Sequence, residues 1–242
     1  MIAVWVGVMV LGLIGMIVCG KMQKSNPAMQ PVSIALFLVV LVGAFMWLKT
    51  TFGGGGGRGI IDNELAYYGA RGVKIGRILG RNAAGRKVLV LVDPSFEQDI
   101  FSKRLVESMK KEFKGEVVTG SVALPANFSD AGISYQEVAN AKKLNEVIDR
   151  NAPGAIVSLT GLPTDAGRMK IFTAKETMPV ILLGTGSASR KFVAAQLKRG
   201  AITAIIESRR GKSVGSEAPS DPETAFEVRN VLYTKDNAAD FK

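Results

Sequence analysis

The sequence predicts an α/β protein: one doubly wound parallel-sheet domain carried behind an N-terminal hairpin of transmembrane helices. Three observations lead there. Two uncharged apolar runs, Ile2 to Cys19 and Val32 to Leu48, occupy the first fifth of the 242-residue chain. Five consecutive glycines, Gly53 to Gly57, follow them. Beyond the glycines, short wholly apolar segments alternate with helical ones, the pattern of a parallel sheet covered on both faces. On this reading residues 1–52 form a two-span anchor, 53–58 a Gly-rich tether, and 59–242 a soluble domain long enough to bury a real core.

Each apolar run is long enough to cross a bilayer core as a helix with little tilt. The chain opens Met-Ile-Ala-Val-Trp straight into the first run, without the basic segment of a cleaved signal peptide, so both runs are expected to be retained. Between them Lys21 to Pro31 is a polar turn, with Asn26-Pro27 as the helix breaker. A hairpin places the N-terminus and the domain on the same side. Lys21 and Lys24 in the turn nearly balance Lys49 and Arg58 after the second run. The short uncharged tail crosses easily, which favours a cytoplasmic turn and an extracytoplasmic domain at the inner membrane. Trp5 and Trp47 then mark one interface. Gly15 and Cys19 form a small-xxx-small pair able to bring helices close. Cys19, the only cysteine, follows Val18 rather than a small residue, and so reads as an apolar helix position and not a lipidation site. The glycine tract is too flexible to transmit a fixed geometry.

The domain opens with a helical pattern from Asp62 to Arg81. Leu65, Tyr68, Gly72, Ile75, Gly76 and Leu79 lie on one side, and Arg71, Lys74, Arg77 and Arg81 cluster opposite. A glycine in a helix interior costs about 1 kcal/mol, so Gly72, Gly76 and Gly80 at four-residue spacing call for a closely apposed surface. That surface is either the domain's own core or another subunit, and the basic face is suited to an acidic neighbour or to lipid headgroups. Then follow a strand Val88–Val92, a helix Glu97–Phe113, a strand Val117–Leu124, a helix Tyr135–Asn151 and a strand Ala155–Leu159. A short helix Asp165–Lys175, a strand Val180–Leu183, a helix Ala188–Arg199 and a strand Ile202–Glu207 complete the alternation. Right-handed crossovers give the sheet order 2-1-3-4-5. Val231–Thr234 reads as an added edge strand after the polar loop Gly211 to Pro222.

From about Tyr67 to Arg209 this pattern resembles one lobe of the type I periplasmic binding proteins, the family of amino-acid and sugar receptors. The resemblance lies in Gly80-Arg-Asn-Ala-Ala-Gly85, then Arg86-Lys-Val-Leu-Val-Leu-Val-Asp93, the helix reaching Phe113, and Gly115-Glu-Val-Val118. Ala152-Pro-Gly-Ala-Ile-Val157 and Met178-Pro-Val-Ile181 resemble the starts of that family's third and fourth strands. Many flavodoxin-like domains share part of it. The family closes two lobes over a ligand, whereas this chain has length for one, so the resemblance implies a lobe without the two-lobed cleft.

Histidine is absent, which removes the usual base or ligand from Ser-His-Asp, Cys-His and zinc-hydrolase chemistry. A single cysteine excludes an intrachain disulfide and any multi-cysteine metal site. The net charge is +10; after Arg58, 27 basic residues face all 21 acidic ones, a net +6 spread along the chain. No aromatic-studded basic surface accompanies it, so nucleic acid is not an expected partner. Neither a cofactor nor a metal is expected.

Ligands on open α/β sheets sit beyond the carboxyl ends of the strands. Three segments should meet there: Asp93-Pro94-Ser95, Thr160-Gly161, and Gly184-Thr185-Gly186-Ser187, the last as backbone donors for an anion or as ordinary helix capping. There is no GxGxxG, and Gly211-Lys212-Ser213 lacks the upstream glycine of a phosphate-binding loop. The expected function is a noncatalytic, membrane-tethered scaffold subunit of a cell-envelope complex, with other subunits or further copies of the chain as partners. In that role the helix bearing Gly72, Gly76 and Gly80 is the contact element. The alternative is a membrane-bound enzyme, or a regulator binding a nucleotide or other small ligand through the Asp93 and Gly184 loops.

Overall fold

The computed structural model describes residues 2–22, 29–48, 56–123, 135–174, 177–209 and 217–241. Two compact units result, Met1–Asp62 and Asn63–Lys242.

In the first unit, α1 (Ile2–Met22) and α2 (Met29–Leu48) pack against each other. The close approach is made at Gly12 and Gly15. A Cβ on Gly12 would lie 2.6 Å from Val40 Cγ2, and one on Gly15 would lie 3.0 Å from Leu36 Cδ1. The small pair is thus Gly12 with Gly15, whereas Cys19 is half-buried. Leu11, Leu13, Ile14, Ile17 and Val18 on α1 remain exposed, as do Val32, Ile34, Phe37, Leu38, Val39, Leu41 and Val42 on α2. Side-chain burial is described at residue 7, over 11–19 and 21–22 of α1 and over 31–44 of α2; among the described residues no helix is long and apolar enough to cross a membrane. The side chains of Trp5 and Trp47, most of the Lys21 to Pro31 turn, and Gly53 to Gly55 lie outside the described residues.

The sequence places the first domain helix at Asp62–Arg81; α3 instead runs Gly56–Asn82, so Gly56, Gly57 and Arg58 of the expected tether are helical. After it come β1 (Val88–Leu91), α4 (Ile100–Phe113), β2 (Val117–Gly120), α5 (Tyr135–Val138), α6 (Ala141–Asn151) and β3 (Ala155–Ser158). Then α7 (Lys170–Thr173), β4 (Val180–Leu183), α8 (Arg190–Lys198), β5 (Ala204–Ser208), α9 (Pro222–Arg229) and β6 (Asn230–Tyr233) complete the chain. Where the sequence suggested single helices, polar caps divide them. Asp99 accepts from Phe101 N at 2.9 Å and starts α4 after a 3-10 turn at Pro94–Glu97. Asn140 accepts from Lys143 N at 3.0 Å and separates α5 from α6.

The sheet order is β2-β1-β3-β4-β5-β6. The first five strands are parallel in the order the sequence implies, with Leu89 opposite Ile156 and Val157 opposite Ile181. The edge strand β6 departs from the all-parallel reading and runs antiparallel to β5, Ile206 facing Leu232.

Side chains alternate between two cores, as pleated strands require. Val88, Val90, Val157, Ile181 and Ile206 join Tyr67, Ile75, Leu79, Leu105, Met109 and Phe226 on the side of α3, α4 and α9. Leu89, Leu91, Ile156, Leu182 and Ile205 join Leu144, Ile148, Phe172, Val193 and Leu197 on the side of α6, α7 and α8. The sandwich is therefore covered on both faces, a mixed α/β fold with a six-stranded, mostly parallel sheet.

The α3 glycines find their apposed surface in α4. A Cβ on Gly72 would sit 2.9 Å from Ser108 Cβ and closer still to the Leu105 carbonyl; one on Gly76 would sit 2.6 Å from Glu112 Cβ. Gly80 meets nothing within 4 Å. The basic side of α3 is partly covered, because α9 and β6 return across it, while Arg77 and Arg81 stay exposed. Lys74 and Arg77 pair with Glu223, and Arg229 pairs with Glu64.

Candidate functional site

At the carboxyl edge of the sheet the three expected loops take different roles. The carboxylate of Asp93 caps its own 3-10 turn, accepting from Ser95 N at 2.8 Å and Ser95 Oγ at 2.6 Å. The loops after β3 and β4 are laced to each other. Leu162 N donates to the Thr185 carbonyl, while Ser187 N and Ala188 N both donate to the Leu162 carbonyl at 2.8 and 3.0 Å. Gly161 and Gly186 both take positive φ, and a Cβ on Gly161 would lie 2.5 Å from Gly186 Cα. Buried Ser158 donates from Oγ to the Gly161 carbonyl, fixing the turn. Gly184 N donates to the Ile206 carbonyl at 2.9 Å.

Of the expected anion cradle, Gly184 to Ser187, the backbone donors of Gly184 and Ser187 are therefore spent on neighbouring carbonyls, as is that of Ala188 beside it. Thr160 and Gly161 border a void of about 10 Å³ beside Tyr135, room for at most one water. The Tyr135 hydroxyl donates to the Val92 carbonyl and accepts from Val122 N, and burial raises its pKa.

Gly184 and Thr185 instead open onto a larger cleft of about 490 Å³. Its floor is apolar, with Leu105, Leu159, Leu183 and Ile206. Its walls carry Tyr68 and Arg71 from α3, Ser102 from the first turn of α4, Arg190, and Glu207, Ser208 and Asn230 from β5 and β6. Arg190 holds Glu207 by two parallel bonds, Nη1 to Oε1 at 2.6 Å and Nη2 to Oε2 at 2.7 Å, and its guanidinium stacks 4.1 Å above the Phe241 ring. The bonded carboxylate raises the Arg190 pKa.

Arg71 is placed differently. Nε donates to Asn230 Oδ1 at 2.6 Å and Nη2 to Ser208 Oγ at 2.9 Å, and the guanidinium lies 4.8 Å from the Tyr68 ring centre. All three partners are neutral. Burial lowers its pKa. Among the described residues no carboxylate lies within ion-pair distance of it, and Glu64 acts on it only at longer range. Among them too, no group of three or more His, Cys, Asp and Glu side chains is arranged to hold a metal.

Of the residues expected from sequence, Gly184 and Thr185 line this cleft, Thr160, Gly161, Gly186 and Ser187 build the laced loops beside it, and Asp93 and Ser95 cap a turn after β1. Sequence reasoning missed Arg71, Arg190, Glu207 and Asn230. Nothing in the spacing sets Arg71 apart from Lys74, Arg77 and Arg81, and Asn230 meets it only through the return of β6.

No family model matches the chain, and no curated protein matches it. Among solved structures it is similar to an arabinose-binding protein from Geobacillus stearothermophilus, at a TM-score of 0.45 and 14% identity, over 73% of this chain and 63% of that one. It is also similar to the sugar-binding protein of a sugar ABC transporter from Bacillus halodurans, at 0.45 and 11%, over 73% and 64%. The chain thus spans less than two thirds of the length of either protein.

Proposed function

We propose that the chain is a membrane-tethered, noncatalytic interaction subunit: a helix hairpin that anchors one binding-protein-like lobe at the inner membrane. The observation that carries this reading is the outer surface of the α1–α2 pair. The two helices meet closely at Gly12 and Gly15 and leave large apolar side chains outside, among them Leu11, Leu13, Ile14, Ile17 and Val18 on one helix and Val32, Ile34, Phe37, Leu38, Val39, Leu41 and Val42 on the other. Water does not tolerate an apolar surface of that extent on a monomer, and acyl chains do. The full helices, 21 and 20 residues, match the length a bilayer core needs. Support for a role without turnover comes from the chemistry present: histidine is absent, and the Asp93, Ser95 and Ser158 groups at the strand ends hold their own turns. The lobe then faces the extracytoplasmic side, with partners in other envelope subunits or further copies of the chain.

Fractionation tests the anchor. The full chain should stay in the membrane pellet after an alkaline carbonate wash, and protease should digest residues 59–242 only once the outer barrier is opened. Release into the supernatant would overturn the anchor; digestion only after inner-membrane rupture would reverse its orientation. In mild detergent the protein should migrate as a discrete larger assembly. A monomer that binds or turns over a nucleotide would transfer the reading to the enzyme or regulator alternative.

A further inference from the structure

We propose that the cleft beyond β3, β4 and β5 is a binding site for a small organic monocarboxylate, held by Arg71. The inference concerns the lobe alone and stands or falls independently of the anchor and of the scaffold role.

The charges around the cleft carry it. Two guanidinium groups, Arg71 and Arg190, line the cleft, and one carboxylate, Glu207, lines it with them. Arg190 takes Glu207 bidentately and Arg229 takes Glu64. Arg71 is left with an amide, a hydroxyl and an aromatic ring. A half-buried cation with no carboxylate bonded to it among the described residues is costly, and burial lowers the Arg71 pKa although Glu64 acts on it at longer range; a bound anion removes that cost. The Asn230 and Ser208 bonds fix the planar fork, so little side-chain freedom is lost when it engages a carboxylate. The first turn of α4, at Ser102, adds the positive end of a helix dipole to the same wall.

Valence and shape narrow the ligand. One unmatched positive charge suits a monoanion, and Glu207 on the wall opposes a dianion such as a phosphate ester. The floor of Leu105, Leu159, Leu183 and Ile206 suits a compact apolar body behind the carboxylate. The volume, about 490 Å³, falls within the range of roughly 300–1,000 Å³ found for small-molecule sites.

The test is calorimetric titration of the full chain in detergent micelles with acetate, isobutyrate, benzoate, the neutral methyl ester of isobutyrate, and inorganic phosphate. Isobutyrate and benzoate should bind more tightly than acetate, the ester should not bind, and added salt should weaken the binding. Arg71→Met should weaken it about tenfold or more, the loss expected when a charged hydrogen-bonding pair is broken. Arg71→Lys keeps the charge but loses the fork, and should fall between the two. Because Arg71 also ties α3 to β5 and β6, Ser102→Asp serves as the second variant. It places a fixed carboxylate on the cleft wall without touching those ties, and should abolish binding while the melting temperature holds or rises. Phosphate binding as tight as isobutyrate, no binding of any carboxylate, or binding undiminished by Ser102→Asp would each overturn the proposal.

Discussion

Gly72 and Gly80 lie on the same helix and should respond to an added methyl group in opposite ways. At Gly72 the methyl would press on Ser108 and on the Leu105 carbonyl, and a backbone carbonyl of a packed helix cannot step aside. Gly72→Ala should therefore destabilise the domain by about 1–3 kcal/mol, the usual cost of overpacking, or more if α4 is forced away. At Gly80 nothing lies within 4 Å, so Gly80→Ala gains helix propensity and should stabilise by up to about 1 kcal/mol. Thermal melts of the two variants against the parent check both signs. A loss from Gly80→Ala as large as that from Gly72→Ala would mean that Gly80 touches a surface beyond this chain, which is where the contact role expected of this helix would reappear. The same residue-scale logic explains Gly161 and Gly186: their positive φ and mutual contact serve the lacing of two loops, a structural demand that the reading of Gly184 to Ser187 as anion donors did not include.

Among the elements, α9 is the one that the sequence reading passed over, and its omission had consequences. Residues 222–229 carry no strong apolar stripe, yet Asp221-Pro222 is a start signal, a carboxylate cap followed by proline in the first turn. Asp221 Oδ2 accepts from Thr224 N at 2.8 Å and from Thr224 Oγ1 at 2.7 Å. These bonds hold its pKa below the ordinary 3.8. A carboxyl whose folded pKa is depressed contributes stability above its unfolded pKa and loses it as pH falls through the folded value. Asp221→Ala should therefore lower the melting temperature at neutral pH, and the gap from the parent should close below about pH 3.8. A gap independent of pH would mean that the cap does not act through its charge. Without α9, the side of α3 bearing Arg71, Lys74, Arg77 and Arg81 read as an open basic face suited to headgroups; with it, Glu223 pairs with Lys74 and Arg77, Glu112 also pairs with Arg77, and Arg71 lines the cleft. The strands were legible because apolar runs such as Val88 to Val92 have few alternatives. Their pairing order followed from handedness and short connections. The cleft was not legible, since its walls come from α3, α4, β5 and β6, whose meeting is a fact of the folded chain and leaves no local pattern.

At the scale of the whole molecule, stability and attachment belong, on the proposed reading, to different stretches of chain. Both hydrophobic cores are built from residues between Tyr67 and Phe241, and the buried strands Leu89 to Leu91, Ile156, Ile181 and Leu182 lie at their centre. The α1–α2 pair makes its close contacts internally, through Gly12 to Val40 and Gly15 to Leu36. Removing residues 1–52 should therefore leave the lobe folded, with a melting temperature within a few degrees of the parent, since the change touches neither core. The same deletion should move the protein from the membrane pellet to the supernatant, because the exposed apolar side chains within Leu11 to Val18 and Val32 to Val42 leave with it. Circular dichroism melts and fractionation read the two outcomes separately. A truncated protein that stays at the membrane would transfer the attachment to the lobe, and one that melts far lower would show that the hairpin supports the sheet; either result would break the division of labour on which the tethered reading depends.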